Sequence, residues 1–196
     1  MGTRNLTMVV WNNETKIAQY GQWDGYPSGQ GITSLNFLKK CDLNQFKERL
    51  KNLKFITSEE IEKKYVSCGA TPSCEFVTMD ISDKFKSQWP ELDRDCAAAI
   101  LEMVYNGDAT ELFNNESFAQ DGLFCEWAYV IDLDKNTFEV YSGFGKEPLN
   151  ENDRFYLPKT SETVGRSEYS AVSLVKSYNL DNLPDESQFL SECDEE

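Results

Sequence analysis

Two stretches of alternating polarity, separated by a long block of helical periodicity, constrain this fold more than any other feature of the chain. Thr3–Trp11 alternates around Leu6, Met8 and Val10, Asn12-Asn13-Glu14 is a turn, and Thr15–Tyr20 is again β-like, so the opening predicts a hairpin. Glu126–Leu133 and Thr137–Phe144, joined through Asp134-Lys135-Asn136, predict a second one.

Between them the period changes to that of helices. Ile32, Leu35 and Leu38 recur at helical spacing, and Leu43, Phe46, Leu50 and Leu53 mark a second helix opened by an Asp42 N-cap. Thr57 followed by Glu60 is a capping-box pattern for a third helix running to about Lys64. A strand is expected near Phe76–Ile81. A helix is expected over Asp93–Tyr105, with Cys96, Ala97, Ile100, Leu101 and Val104 on its buried face and Asn106-Gly107 as its end. A last strand over Tyr169–Tyr178 precedes a terminal helix, with Pro184 at its first position and Asp185 and Glu186 in its first turn, ending near Leu190. The order predicts an α+β fold, an antiparallel sheet with helices packed on it. Residues 1–180 read as a single domain, followed by an acidic helix and tail over 181–196.

The chain has 196 residues and no histidine, which excludes Ser-His-Asp and Cys-His catalysis. Six cysteines contain no CxxC spacing, so neither a metal site nor a cofactor is expected. No apolar run reaches the roughly 18 residues a membrane span needs. The start, Met1–Leu6, has no signal-peptide character, and neither it nor Cys193–Glu196 fits a lipidation motif. A cytoplasmic location without membrane contact is therefore expected, with the cysteines as reduced thiols. The net charge is −15, and seven of the 34 acids fall in Asp181–Glu196 without a base. Between Lys39 and Lys64 the sign reverses, eight bases against five acids. Such a balance suits a solvated surface or a basic protein partner, and makes direct nucleic-acid binding unlikely.

One segment carries most of the recognition chemistry. Gln19–Gly31 contains four glycines and a proline; Trp23 and Tyr26 offer stacking faces, while Gln22, Asp24, Ser28 and Gln30 offer hydrogen bonds. Gly29 and Gly31 precede a helix, where free N–H groups would hold an anion. The segment is neither a Walker loop nor a GxGxxG turn. The alternative reading is a loop whose aromatics cap the core.

Met1-Gly2-Thr3-Arg4-Asn5-Leu6-Thr7, Ala18-Gln19-Tyr20-Gly21-Gln22-Trp23-Asp24-Gly25-Tyr26-Pro27-Ser28-Gly29-Gln30-Gly31 and Leu123-Phe124-Cys125-Glu126-Trp127-Ala128-Tyr129-Val130-Ile131-Asp132-Leu133-Asp134 resemble a family of small uncharacterised proteins of phages, bacteria and fungi. The resemblance runs nearly end to end and brings no activity with it. A phage origin would imply an anti-defence role in the host cytoplasm. A weaker, fold-level resemblance is to N-terminal-nucleophile hydrolases, and it implies a layered sandwich. Their chemistry needs Cys, Ser or Thr as first residue, whereas methionine removal here would expose Gly2 rather than Thr3.

Other catalytic candidates are Cys125 beside Glu126, and carboxylate pairs drawn from Asp24, Asp121 and Glu126; a buried structural thiol is the favoured reading of Cys125. Asp132-x-Asp134-x-Asn136 reads as a hairpin turn rather than half a calcium loop. The leading expectation is a binding protein in which Arg4, Gln22, Trp23, Asp24, Tyr26, Ser28, Gln30 and Glu126 contact a small polar or nucleotide-like ligand. The alternatives are an N-terminal-nucleophile-like or carboxylate-driven hydrolase, and an acidic inhibitor of a basic protein.

Overall fold

The computed structural model describes residues 2–73, 77–157 and 168–193. The first hairpin pairs β1 (Asn5–Trp11) with β2 (Glu14–Gly21). Asn12 and Asn13 both adopt positive φ, 56° and 57°, the backbone of the tight turn that suits two twisted strands. A π-helical turn, Pro27–Gly31, then leads into α1 (Ile32–Lys40) and α2 (Leu43–Leu50). Asp42 caps α2 as expected, its Oδ1 accepting from the N–H groups of Asn44 and Gln45 at 2.8 and 3.2 Å.

Lys54–Phe55 forms the short β3, and α3 covers Ser58–Ser67. Its capping box is complete: Thr57 Oγ1 accepts from Glu60 N at 3.2 Å, and Glu60 Oε2 accepts from Thr57 N at 2.8 Å. The strand expected near Phe76–Ile81 is not present. Residues 74–76 lie outside the described residues, and Met79–Gln88 forms a helix, α4. Thr78 stands at its N-cap position, with its hydroxyl donating to Asp80 Oδ1 at 2.5 Å, and Phe85 stacks on Tyr65 of α3 at 3.9 Å. Burial of that ring overrides the weak β pattern.

The helix expected over Asp93–Tyr105 starts six residues later, as α5 (Ala99–Asn106); it ends as predicted, on Gly107 at φ 86°. The short β4 (Glu111–Leu112) pairs with β3. The second hairpin is β5 (Trp127–Asp132) with β6 (Thr137–Ser142), followed by β7 (Ser173–Asn179) and α6 (Glu186–Cys193). Asp185, not Pro184, sets the start of α6, its Oδ1 accepting from Gln188 N at 2.8 Å. The Asp132–Asn136 segment is a turn: Asp132 Oδ1 accepts from the N–H groups of Asp134 and Lys135, and Asp134 accepts from those of Asn12 and Asn13.

The five-stranded sheet has the order β2-β1-β5-β6-β7. Three neighbouring pairs are antiparallel, but β1 and β5 are parallel, which corrects the purely antiparallel expectation. Because β2 turns outward from β1, the inner side of β1 is filled only after the helical block, by a strand running the same way. The register puts the starts of β1, β5 and β7 and the ends of β2 and β6 at one rim: Asn5 pairs with Gly21 and Trp127, Trp127 with Ser142, and Ser142 with Ser173.

One sheet face, with Val9, Ile17, Tyr129, Ile131, Phe138 and Val140, buries Leu35 of α1, Phe46 of α2, Leu101 of α5 and Phe189 of α6. The other face, with Leu6, Met8, Ala128, Val130 and Tyr141, is covered by Ala119, Phe155 and Val172. On that side Arg154 bonds to both Asp132 and Glu139, and Tyr141 donates to Glu139 at 2.6 Å. Apart from the two-residue β3–β4 ladder, no second sheet occurs among the described residues. No helix among them is long and apolar enough to cross a membrane.

Candidate functional site

The Gln19–Gly31 segment climbs over the rim and returns toward the helical face. Gly21 has no room for a side chain, since a Cβ there would lie 2.6 Å from that of Ala97. Asp24 takes positive φ, 54°, and the turn it makes is fixed from three directions. Gly25 N donates to Thr3 O at 3.0 Å, the Tyr129 hydroxyl donates to Gly25 O at 2.7 Å, and Asn5 Nδ2 donates to Trp23 O at 3.3 Å. Gly29 is required, because a Cβ there would stand 2.2 Å from Asp24 O.

Gln30 joins this loop to the chain before α5. Its Nε2 donates to Trp23 O at 3.4 Å and its Oε1 accepts from Ala98 N at 3.1 Å. Asp93 O accepts from Gln19 Nε2 at 3.3 Å, and Arg94 O from Gln22 N at 3.0 Å. These contacts draw residues 93–98 out of helical geometry, with Ala97 at φ 45°, and explain the late start of α5. A non-glycine residue in that region stores strain that surrounding contacts must hold.

The π-helical turn changes what the helix N-terminus can do. Gly29 N and Gly31 N donate to Tyr26 O, Gln30 N donates to Asp24 O, and Ile32 N donates to the carbonyls of Gly29 and Pro27. The donors expected to hold an anion are therefore engaged inside the turn. Beside it lies an open cleft of about 360 Å³ lined by Asp24, Tyr26, Ser28, Gly29, Gln30 and Thr33. Tyr26 is 55% exposed. Among the described residues, the Asp24 carboxylate and the Tyr26 and Ser28 hydroxyls have no hydrogen-bond or ion-pair partner. Thr33, which completes the wall, donates to Gly29 O at 3.1 Å; only its position one turn after Gly29 would have pointed to it.

The remaining candidates stand elsewhere. Extending the strand register one residue past Asn5 aligns Arg4 with Gln22 and Glu126, on the side of the sheet carrying Leu6, Tyr20 and Ala128. None of the three lines the cleft. Arg4 N donates to Glu126 Oε1 at 3.2 Å, the Arg4 guanidinium lies 4.4 Å from the Phe124 ring centre, and Gln22 Oε1 accepts from the Tyr20 hydroxyl at 2.6 Å. Trp23, 46% exposed, lies against Gly2, where a Cβ would be 2.3 Å from the indole ring. The Asp95 carboxyl is held below the usual range chiefly by Lys86 at 2.8 Å, with a smaller contribution from Trp23.

Of the catalytic candidates, Cys125, Asp121 and Glu126 are engaged structurally, whereas the Asp24 carboxylate is not. Cys125 is fully buried; burial pushes its thiol up, and the Asp121 and Glu126 carboxylates add to the rise, as for a buried structural thiol. Asp121 Oδ1 caps Phe124 N at 3.3 Å, and Glu126 holds Arg4 N. No protein-family model matches the chain, and neither a curated protein nor a solved structure matches it.

Proposed function

We propose that the chain is a binding protein whose cleft at Asp24, Tyr26 and Ser28 takes a small polar ligand bearing a positive charge. The observation that carries this reading is the set of free groups: one carboxylate, one exposed aromatic ring and two hydroxyls. A cation over a tyrosine ring gains about 0.5–1 kcal/mol at an exposed site, and a carboxylate adds a charge-assisted hydrogen bond. The nearby helix end opposes this with only about half a positive charge. With no basic side chain in the wall and the N–H groups of Gly29, Gln30 and Gly31 engaged, the phosphate half of a nucleotide-like ligand finds no charged donor there. The net charge of −15 also raises the local concentration of cations.

Binding is preferred to hydrolysis. A Thr3 nucleophile would need a free α-amine, but Thr3 is buried at the head of β1 behind Gly2, itself wedged against Trp23. The test is calorimetric titration with acetyl-argininamide against acetyl-citrullinamide, which has nearly the same shape without the charge. Saturable binding of the first alone, lost in Asp24→Asn, is the expected result. Equal affinity for both would remove the charge preference, and no binding of either, nor of other small cations such as spermidine, would remove the reading.

A further inference from the structure

Arg4 and Arg94 are arginines without an ion pair in a chain with 34 acids. Among the described residues neither guanidinium has a carboxylate within 4 Å. Arg4 is the more telling. Its Nε is buried and has no hydrogen-bond acceptor, although Glu126 is its in-register neighbour. That carboxylate accepts from the Arg4 backbone N–H at 3.2 Å, while the guanidinium lies over the Phe124 ring. A buried, charged donor left without an acceptor is costly and calls for a reason.

The rim supplies one. Gln22 aligns beside Arg4 on one side, and its N–H donates to Arg94 O on the other, so the backbone order across the rim is Glu126, Arg4, Gln22, Arg94. Gln22 Oε1 is occupied by the Tyr20 hydroxyl, which fixes the amide with its NH₂ as the remaining group. Burial raises the Tyr20 hydroxyl, and both Arg4 and Arg94 act against that rise, so both charges lie within electrostatic reach of Tyr20.

We propose that Arg4, Gln22 and Arg94 form a receptor for one anionic group, a carboxylate or a phosphate, separate from the cleft at Asp24 and Tyr26. The guanidinium fork matches the paired oxygens of either anion, and the Gln22 amide supplies a neutral donor between the charges. The anion arrives free or on the side chain of a protein partner.

The Arg4 Nε–Hε resonance reports on the orphaned donor directly and needs no variant. Nitrogen-15-labelled protein is titrated with inorganic phosphate, with N-acetyl-glutamate methylamide and with chloride at matched ionic strength. A saturable downfield shift of that resonance with phosphate or with the glutamate derivative, and not with chloride, supports the receptor. Stronger phosphate binding assigns a free anion, and stronger glutamate binding assigns a protein side chain. Arg4→Gln should weaken binding by at least about tenfold and Arg94→Gln by several-fold, with Lys176→Gln as a distant-charge control and unfolding midpoints confirming the fold. An unmoved Arg4 resonance, or the same shift with chloride, overturns the proposal and leaves the cleft reading standing.

Discussion

The Tyr129 hydroxyl donates to the Gly25 carbonyl at 2.7 Å, joining the middle of β5 to a loop 104 residues earlier in the chain. Tyr129 is fully buried and packs on the aromatic layer of Phe138 and Phe189, so the position of the recognition loop is set by the core itself. Tyr129→Phe keeps the ring and leaves the Gly25 carbonyl without this donor. We expect a loss of about 1–2 kcal/mol in urea unfolding, together with weaker cation binding at the cleft. A variant with unchanged stability and affinity would show that the loop holds itself.

Gln30 tests the other anchor. Gln30→Ala removes both bonds that tie the loop to the segment before α5, leaving the buried Ala98 without the acceptor of its N–H. Faster hydrogen exchange at Ala98 and a loss of about 1–3 kcal/mol are expected. Gln30→Glu keeps an acceptor for Ala98 and should retain part of the protection. Equal exchange in wild type and Gln30→Ala would dismiss the clamp.

The Arg154 cluster makes a prediction in pH. Burial raises both Glu139 and Asp132, but Arg154, with Tyr141 and Thr137 at Glu139 and backbone donors at Asp132, outweighs it and holds both below the usual carboxylate range. Their contribution is present above the unfolded values of about 4.3 and 3.9 and is lost as pH falls through the lower folded values. Arg154→Met strands two buried carboxylates, at a cost of about 3–5 kcal/mol near neutrality. Burial then raises both above their unfolded values, so the variant should gain stability as pH falls from 7 toward 5. Urea midpoints across that window decide the matter: a flat profile parallel to wild type contradicts the cluster's role.

The parts of the fold legible in the sequence are those governed by neighbours in the chain. The Asn12-Asn13 turn, the Asp42 cap, the Thr57–Glu60 box and the Gly107 stop depend on local backbone geometry, and each stands where the residues indicate. The start of α5 was not legible, because Cys96 and Ala97 continue the helical pattern while Gln19, Gln22 and Gln30 pull the backbone away. Nor could strand periodicity reveal that β5 runs parallel to β1. The acidic C-terminal segment reads as solvated, yet α6 places Phe189 in the core, 5.9 Å from Phe138; deleting it would therefore test folding rather than an acidic interface.

For the candidate site, the loop was visible in its composition but its chemistry was not. Whether helix-leading N–H groups are free depends on the π-helical turn, which no spacing of Gly29 and Gly31 discloses. Arg4, Gln22 and Glu126 share a register but not the cleft. The link between Arg154 and its carboxylates spans 15 and 22 residues and leaves no local pattern.

The most direct test of the account is amide mapping of the labelled protein during titration with acetyl-argininamide and acetyl-citrullinamide. Saturable shifts confined to Asp24–Thr33 and the Tyr26 ring are expected with the charged probe, abolished in Tyr26→Ala and in Asp24→Asn. Shifts spread over the acidic helix α6 without saturation, or the same response to the neutral probe, would contradict it.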